Sequence, residues 1–342
     1  MKIAFTICSN NYLSLARALG KSLLSHNPEY TFFIGLVDKL NPEISQYYQD
    51  FEVVPCSEIG LKELDDMAKK YSIAEFNTAV KPFYFTYFHE RFPDVKQMLF
   101  VDPDMLVYDR LTDLDTLHAS YDILLTPHIL HPMPLDGKNP SEISYLATGT
   151  FNLGFLSLKM SPITKEFLSW WSERLKQYCT FDFAKGLFVD QKWVNLVPVF
   201  FNSVYIIRNP GYNIAYWNIH ERKVEWKNDK VRVNNDFPLV IYHFSSVNIK
   251  AGKLFYKQQD RFVDEDFPEV VKLFEDYRNK VIAEGYLETN KLSCYYVSMH
   301  DEFMKEEMKK RMDGRLKLFF KAIIPKPVRQ NVKQKLKKLI GD

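Results

Sequence analysis

"QMLFVDPDMLVYD" occupies residues 97–109. The apolar run Leu99-Phe100-Val101 stops at Asp102, and Asp104 and Asp109 follow. A short hydrophobic run with a polar stop reads as a buried parallel strand. Acids at its carboxyl end stand where open α/β sheets bind ligands. Asp102 and Asp104 are two residues apart, so on an extended chain they share a face and can serve one cation. Carboxylate oxygens suit Mg²⁺ or Mn²⁺, which bind through few protein ligands and complete their shell with substrate phosphates. The competing reading is a surface turn with Pro103 and Asp104 as ordinary turn residues. A D-x-D triplet recurs by chance, so the rest of the chain decides.

Upstream, strand and helix signals alternate. "KIAFTIC" (2–8), "TFFIGLVD" (31–38) and "FEVVP" (51–55) read as strands; "YLSLARALGKSLLSH" (12–26) has helical periodicity, with Asn10 or Asn11 available as a cap. Residues 42–48 and 58–70 read as helical, and one longer helix is predicted over 76–91 despite Pro82. Downstream, "YDILLT" (121–126) is a strand, and a Pro- and Gly-rich stretch over 127–150 is a long, functional type of loop. "FNLGFLSL" (151–158) returns to strand, Ser161-Pro162 opens a helix, and "FVDQKWVNLV" (188–197) reads as a short one. Strands alternating with helices predict an α/β fold with a mostly parallel central sheet. Residues 1–300 form one domain in this reading, followed by a helical tail over 301–342.

Hydrophobic content of 46% and charged content of 26% are those of a folded soluble chain of 342 residues. The four cysteines are isolated, without metal-ligand spacing, and read as reduced thiols in a cytoplasmic setting. The amino terminus has no signal-peptide pattern and no run reaches transmembrane length. Net charge is +2, but residues 305–342 carry 13 Lys/Arg against 4 Asp/Glu, leaving 32 basic and 39 acidic residues before them. Basicity confined to the tail argues against nucleic acid as a partner. In that tail Leu316, Phe319, Phe320 and Ile323, then Val328, Val332, Leu336 and Leu339, lie among lysines, the pattern of a helix on an anionic membrane surface or of one packed on the domain.

Three other pieces bear chemistry. His243 follows the run "PLVIY" and can add an imidazole to the aspartate pair, although a histidine after a strand is often structural. Thr6, Ser9, Asn10 and Tyr12 close the first strand just before a helix, the usual mouth of a nucleotide site or simply a polar loop; no glycine-rich phosphate motif is present. Asn152, Asp190 and Gln191 flank apolar runs, with Asp190 readable equally as a helix cap.

Taken in order, "AFTICSNNYLSLARALGKSLLSHNP", "FNTAVKPFYF", "FVDPDMLV", "FNLGFLSL", "FVDQKWVN", "NPGYNIAYWN" and "YHFSS" resemble the GT-A nucleotide-sugar glycosyltransferases, in particular glycosyltransferase family 8, over about residues 1–250. The resemblance implies Asp102, Asp104 and His243 as the metal set for Mn²⁺ or Mg²⁺. It implies a first-strand loop of Thr6, Ser9, Asn10 and Tyr12 that holds the nucleotide with Asp102, Lys81 near the donor, and Asn152, Asp190 and Gln191 facing the sugar. A nucleoside-diphosphate sugar (UDP by resemblance), transfer with retention, and a glycan or lipid-linked acceptor of envelope polysaccharide assembly follow as expectations, with the enzyme on the inner face of the cytoplasmic membrane. The chain departs from the family after His243: "HFSSVNIKAGKLF" lacks the Gly and Lys-Pro-Trp run, leaving Lys250 or Lys253 as phosphate-binding lysine, and residues 212–222 resemble envelope-polysaccharide transferases more than the family core. If transfer inverted, Asp190 or Glu221 would be the base. The rival readings are a non-catalytic nucleotide-sugar or glycan-binding protein of the same fold, and a haloacid-dehalogenase-type phosphotransferase, whose acids normally follow the first strand.

Overall fold

The computed structural model describes residues 1–228 and 230–323, with side chains as far as Met312. Strand β1 (Lys2–Cys8) leads through a single 3-10 turn into helix α1 (Leu13–His26) and strand β2 (Tyr30–Leu36). Strand β3 (Glu52–Pro55) is followed by helices α2 (Leu64–Lys70), α3 (Ile73–Ala79) and α4 (Lys81–Arg91), then β4 (Gln97–Val101). Next come β5 (Met105–Val107), α5 (Thr112–His118), β6 (Ile123–Pro127), α6 (Glu142–Thr148), β7 (Phe151–Lys159) and α7 (Pro162–Tyr178). The later elements that matter to the site are α8 (Gln191–Val194), β8 (Val204–Ile206), β9 (Ile241–His243), α9 (Pro268–Ala283) and α10 (Tyr295–Ile323).

The central sheet has seven strands in the order β3-β2-β1-β4-β7-β6-β8. Every neighbouring pair is parallel except those made by β7, which runs against both β4 and β6. The expected α/β fold with a mostly parallel sheet is the one observed. The strands are apolar on both faces because both are covered. On one face Phe5 lies 4.7 Å from Phe85 and 5.1 Å from Phe88 of α4, with Trp171 of α7 buried in the same cluster. On the other, α1 sets Leu19 and Leu23 against Ile34 and Leu99.

Two departures from a regular sheet create the site. Reversal of β7 brings its first residues to the carboxyl end of β4, where Val101 is in register with Phe155 and the Asp102 amide donates to the Gly154 carbonyl at 2.7 Å. The acidic segment then turns into β5, which pairs antiparallel with β9 so that Met105 opposes His243. The Phe244 amide donates to the Asp104 carbonyl at 2.8 Å, fixing the D-x-D segment between two strands that are distant in sequence.

Several boundaries differ from the sequence reading. The helix predicted over 76–91 is two, α3 and α4, meeting at Val80; Pro82 sits in the first turn of α4, where its missing N–H costs nothing, and cannot continue α3. Likewise, the helix predicted from residue 58 starts at Leu64, after Gly60 at φ 72 breaks the backbone. Helix α10 runs unbroken through the boundary expected at residue 300: Tyr296 meets Phe76 edge-on at 5.3 Å and the His300 ring lies 2.8 Å from the Lys69 carbonyl. The apolar stripe beyond Ile323, at Val328, Val332, Leu336 and Leu339, lies outside the described residues. Among the described residues, no helix is long and apolar enough to cross a membrane.

Candidate active site

Asp102, Asp104 and His243 each offer a ligand atom, and the three atoms lie within 4.8 Å of one another. His243 Nε2 is 3.1 Å from an Asp104 carboxylate oxygen. Burial alone would lower the imidazole's affinity for a proton, but Asp104, through charge and a hydrogen bond, and Asp102 outweigh it and raise the His243 pKa. Burial acts upward on Asp104 too, yet the charge of His243 and its hydrogen bond hold that carboxyl low. At Asp102 burial wins over Lys81 and His243, and the carboxyl is pushed up to about 6.

Asn213 orients the ring. Its Nδ2 donates to Thr126 Oγ1 at 2.8 Å and to Asn152 Oδ1 at 2.9 Å, which turns its own Oδ1 toward His243 Nδ1 at 3.3 Å. That network puts a proton on Nδ1 whatever the state of Nε2, which faces the carboxylates. Asn213 holds φ at 51°, a left-handed conformation that asparagine adopts more readily than most residues. The sequence reading passed over it, although an asparagine after Pro-Gly-Tyr was a fair turn signal.

Gly154 supplies the room. A β-carbon built there would lie 2.7 Å from an Asp102 carboxylate oxygen, 2.7 Å from Met105 Cε and 2.8 Å from His243 Cε1. Two oxygens, one imidazole and a glycine that keeps their meeting point open form a donor set suited to Mn²⁺ or Mg²⁺.

Beside this cluster Lys81 is buried at 3% exposure, with its Nζ 2.8 Å from an Asp190 carboxylate oxygen, 3.8 Å from Asp102 and 3.1 Å from the Leu153 carbonyl. Asp190 makes no capping hydrogen bond to α8, so the helix-cap alternative falls. Its carboxyl is raised by burial, with Lys81 opposing. The residue before it, Val189, sits at φ 40, an outlier for a β-branched side chain.

The cluster floors a cleft of about 520 Å³. Ser9, Asn11, Tyr12, Lys81, Asp102 and Asp104 line it, and its far wall is the segment from Leu292 to Ser298. Around Tyr12 and Asp104 it continues into a second cavity of about 440 Å³ that holds Lys250 and the Tyr277 ring; Lys253 does not line it. A third, of about 360 Å³, contains Asn152 and Gln191 with His128, Tyr145 and Trp217.

The residues named from sequence therefore divide. Ser9, Tyr12, Lys81, Asp102 and Asp104 line the main cleft, while His243 joins them through Asp104. Asn152 and Gln191 face the third cavity, and Asp190 joins the two sides through Lys81. Thr6 is fully buried in the sheet and lines none of these spaces. Asn10 is tied down instead of serving as a cap: its Nδ2 donates to the Lys39 carbonyl at 2.9 Å and its Oδ1 accepts from Tyr48 at 2.7 Å. Asn11, not singled out for the nucleotide, lines the cleft in its place, with a buried Oδ1 that has no partner among the described residues.

No family model matches the chain. Two curated relatives from Bacillus subtilis (strain 168) are similar to it, both uncharacterized: YfnF, 24% identical over 79% of this chain and 89% of its own, and YfnD, 24% identical over 73% and 79%. Solved structures that resemble it include glycosyltransferases. The galactosyltransferase LgtC, crystallised with donor and acceptor sugar analogues, matches 82% of this chain and all of its own at 16% identity and a TM-score of 0.46. The bifunctional glycosyltransferase WbbM matches 84% and 51% at 13% identity and 0.49, and GlyE of Streptococcus pneumoniae TIGR4 matches 89% and 63% at 14% and 0.44.

Proposed function

We infer that the chain is a GT-A-type glycosyltransferase that moves a sugar from a nucleoside diphosphate to a glycan or glycolipid acceptor in envelope polysaccharide assembly. The observation that carries this is the convergence of Asp102, Asp104 and His243 at the floor of a nucleotide-sized cleft, with Gly154 keeping the space between them clear. Those three residues would hold Mn²⁺ or Mg²⁺, and a bound ion supplies Lewis-acid stabilisation of the departing diphosphate. Tyr12 and Asn11 form the wall for base and ribose, and Lys250 reaches the diphosphate from the second cavity. Lys81 fixes a positive charge beside Asp102 in a buried setting, where it needs no reorganisation as negative charge develops on the leaving group.

The third cavity, with Asn152, Gln191 and the Trp217 ring, suits a sugar: polar amides to read hydroxyls and an aromatic face to stack on. Both candidate bases for an inverting reaction are committed. Asp190 is bound to Lys81, and Glu221, its side chain 5% exposed, accepts from the amides of Leu130 at 2.9 Å and His131 at 2.7 Å. That supports retention, with the departing phosphate drawing the acceptor's proton on the same face. In this reading the basic tail holds the enzyme at the cytoplasmic face of the membrane, near lipid-linked acceptors.

The test is a thermal-shift panel of UDP, GDP, dTDP, ADP and CMP, each with Mn²⁺ and with EDTA, followed by donor turnover with the nucleotide that binds. A ligand that binds only the folded state raises the melting point. One nucleoside diphosphate should do so only with Mn²⁺, and the effect should vanish in Asp102→Asn/Asp104→Asn. Binding without Mn²⁺ and without turnover would favour the binding-protein reading.

A further inference from the structure

Four buried tyrosine hydroxyls have no hydrogen-bond partner among the described residues, those of Tyr108, Tyr212, Tyr242 and Tyr277. Buried polar groups are nearly always paired, so each exception calls for a reason. Tyr277 is the one of the four that borders a cavity shared with Asp104. It lies in the wall of the second cavity, with Tyr12 and Lys250. Its side chain is 0% exposed, so solvent does not supply the missing partner.

The ring is held in place. Helix α9 carries Tyr277, and its ring stacks on Phe244 with centroids 4.1 Å apart and planes 5° from parallel. Phe244 is fixed in turn by its amide, which donates to the Asp104 carbonyl at 2.8 Å. The hydroxyl therefore has a set position in the wall and cannot swing away to a partner elsewhere. A phenol keeps its proton near neutral pH, so this oxygen can donate.

We propose that the Tyr277 hydroxyl donates to a phosphate oxygen of the nucleoside diphosphate, which makes Tyr277 a binding residue for the leaving group alongside Lys250. The assignment rests on the function proposed above and adds a donor that no motif in the sequence marks. Charge selects the occupant. Asp104 and Lys250 are the charged side chains that line the second cavity. Once Asp104 holds a divalent ion, the cavity presents that cation, an ammonium group and a hydroxyl proton. An anion rich in acceptor oxygens meets all three, whereas base and ribose bring no negative charge. Asn290 also lines the cavity, but its side-chain amide donates to the Tyr286 carbonyl. In the free protein the unpaired hydroxyl is a cost to the fold, and a bound phosphate removes it.

Tyr277→Phe keeps the ring and its stack and removes only the oxygen. The experiment compares it with the wild type, as full-length protein, in three measurements. These are thermal unfolding without ligand, calorimetric titration with UDP, GDP, dTDP and ADP in Mn²⁺, and thermal shift with the matching nucleosides at millimolar concentration. Without ligand the variant should melt at the wild-type temperature or above it, since it no longer buries an unpaired hydroxyl. For the diphosphate that binds, affinity should fall at least about tenfold, as for a lost hydrogen bond to a charged group, while the shift with the nucleoside stays the same. Three results would each overturn the assignment and leave the glycosyltransferase reading standing: wild-type affinity for the diphosphate, equal losses for nucleoside and diphosphate, or a clearly lower melting temperature without ligand, which would show that the hydroxyl has a partner within the fold. Wild-type protein that binds none of the diphosphates would overturn that reading, and this assignment with it.

Discussion

Gly154→Ala tests the site at its tightest point. The added methyl would meet the Asp102 carboxylate at 2.7 Å and the His243 ring at 2.8 Å, where an ordinary contact begins at 3.4 Å. Each group must therefore retreat by about 0.7 Å, or the strand must shift by as much. Met105 Cε, also 2.7 Å away, is the end of a flexible chain and can turn aside. The ligands cannot retreat so freely: His243 is held by Asn213 at 3.3 Å and by Asp104 at 3.1 Å, and Asp102 by its own amide's bond to the Gly154 carbonyl. Overpacking of this kind costs about 1–3 kcal/mol of stability. On the proposed function these side chains hold the metal, and displacing them by more than half an ångström should weaken Mn²⁺ by at least the roughly 10–100-fold seen when ligand-orienting residues are lost. Calorimetric titration of Mn²⁺, with and without the nucleotide that binds, reads the second effect, and thermal unfolding in EDTA reads the first. Gly154 has no left-handed φ, so an alanine there carries no backbone penalty of its own. Wild-type Mn²⁺ affinity together with an unchanged melting temperature would refute the reasoning.

Other outcomes follow from single contacts. Lys81→Met leaves Asp190 buried without its partner and should cost about 3–5 kcal/mol in denaturant unfolding; adding Asp190→Asn should recover a good part, and a double variant no better than the single would show the two to be uncoupled. Asn213→Ala frees the His243 ring and should weaken Mn²⁺ about 10–100-fold, with nitrogen NMR of His243 reporting loss of the single tautomer. His128 is buried and stacked on Tyr145 at 5.2 Å, and burial pulls its pKa down from 6.5 to about 4. The unfolded chain then binds a proton at that position between pH 6.5 and 4 while the folded one does not, so stability is intact above pH 6.5 and falls by at most about 3 kcal/mol as pH drops through that window. His128→Asn should flatten this part of the profile, measured by urea unfolding at pH 4 to 7.

Much of the architecture was readable because it is written in local pattern. The apolar runs of β1, β2, β4 and β7 are uninterrupted, and the acids stop β4 abruptly enough to mark its functional end. His243 was within reach for the same reason, following the apolar run of β9. The misses share one physical cause: they depend on contacts between residues far apart in the chain. Asn11 and not Asn10 faces the cleft because the single 3-10 turn between β1 and α1 rotates one inward and ties the other to Lys39 and Tyr48. Gly154 reads as one more small residue in a strand until β7 is reversed against β4. The wall from Leu292 to Ser298 carries no motif, only a place in space. The helix predicted across Pro82 failed for a local reason, a proline whose position in the first turn of α4 was a legible start signal.

The cleft's two walls come from opposite ends of the described chain, Ser9–Tyr12 facing Leu292–Ser298. They are tied by the Thr289 hydroxyl, which donates to Ser14 at 3.1 Å, and by the Tyr295 amide, which donates to Asp38 at 2.9 Å. Synthesis on the ribosome is vectorial, so the first wall waits, open and partly apolar, until almost three hundred residues have been added. Closure of so long a loop is slow to reach and adds little entropy cost per further residue. The nascent chain therefore completes this cleft in one late step, and on the proposed function a nucleotide that binds only the closed form would add its binding free energy to the stability of the finished fold.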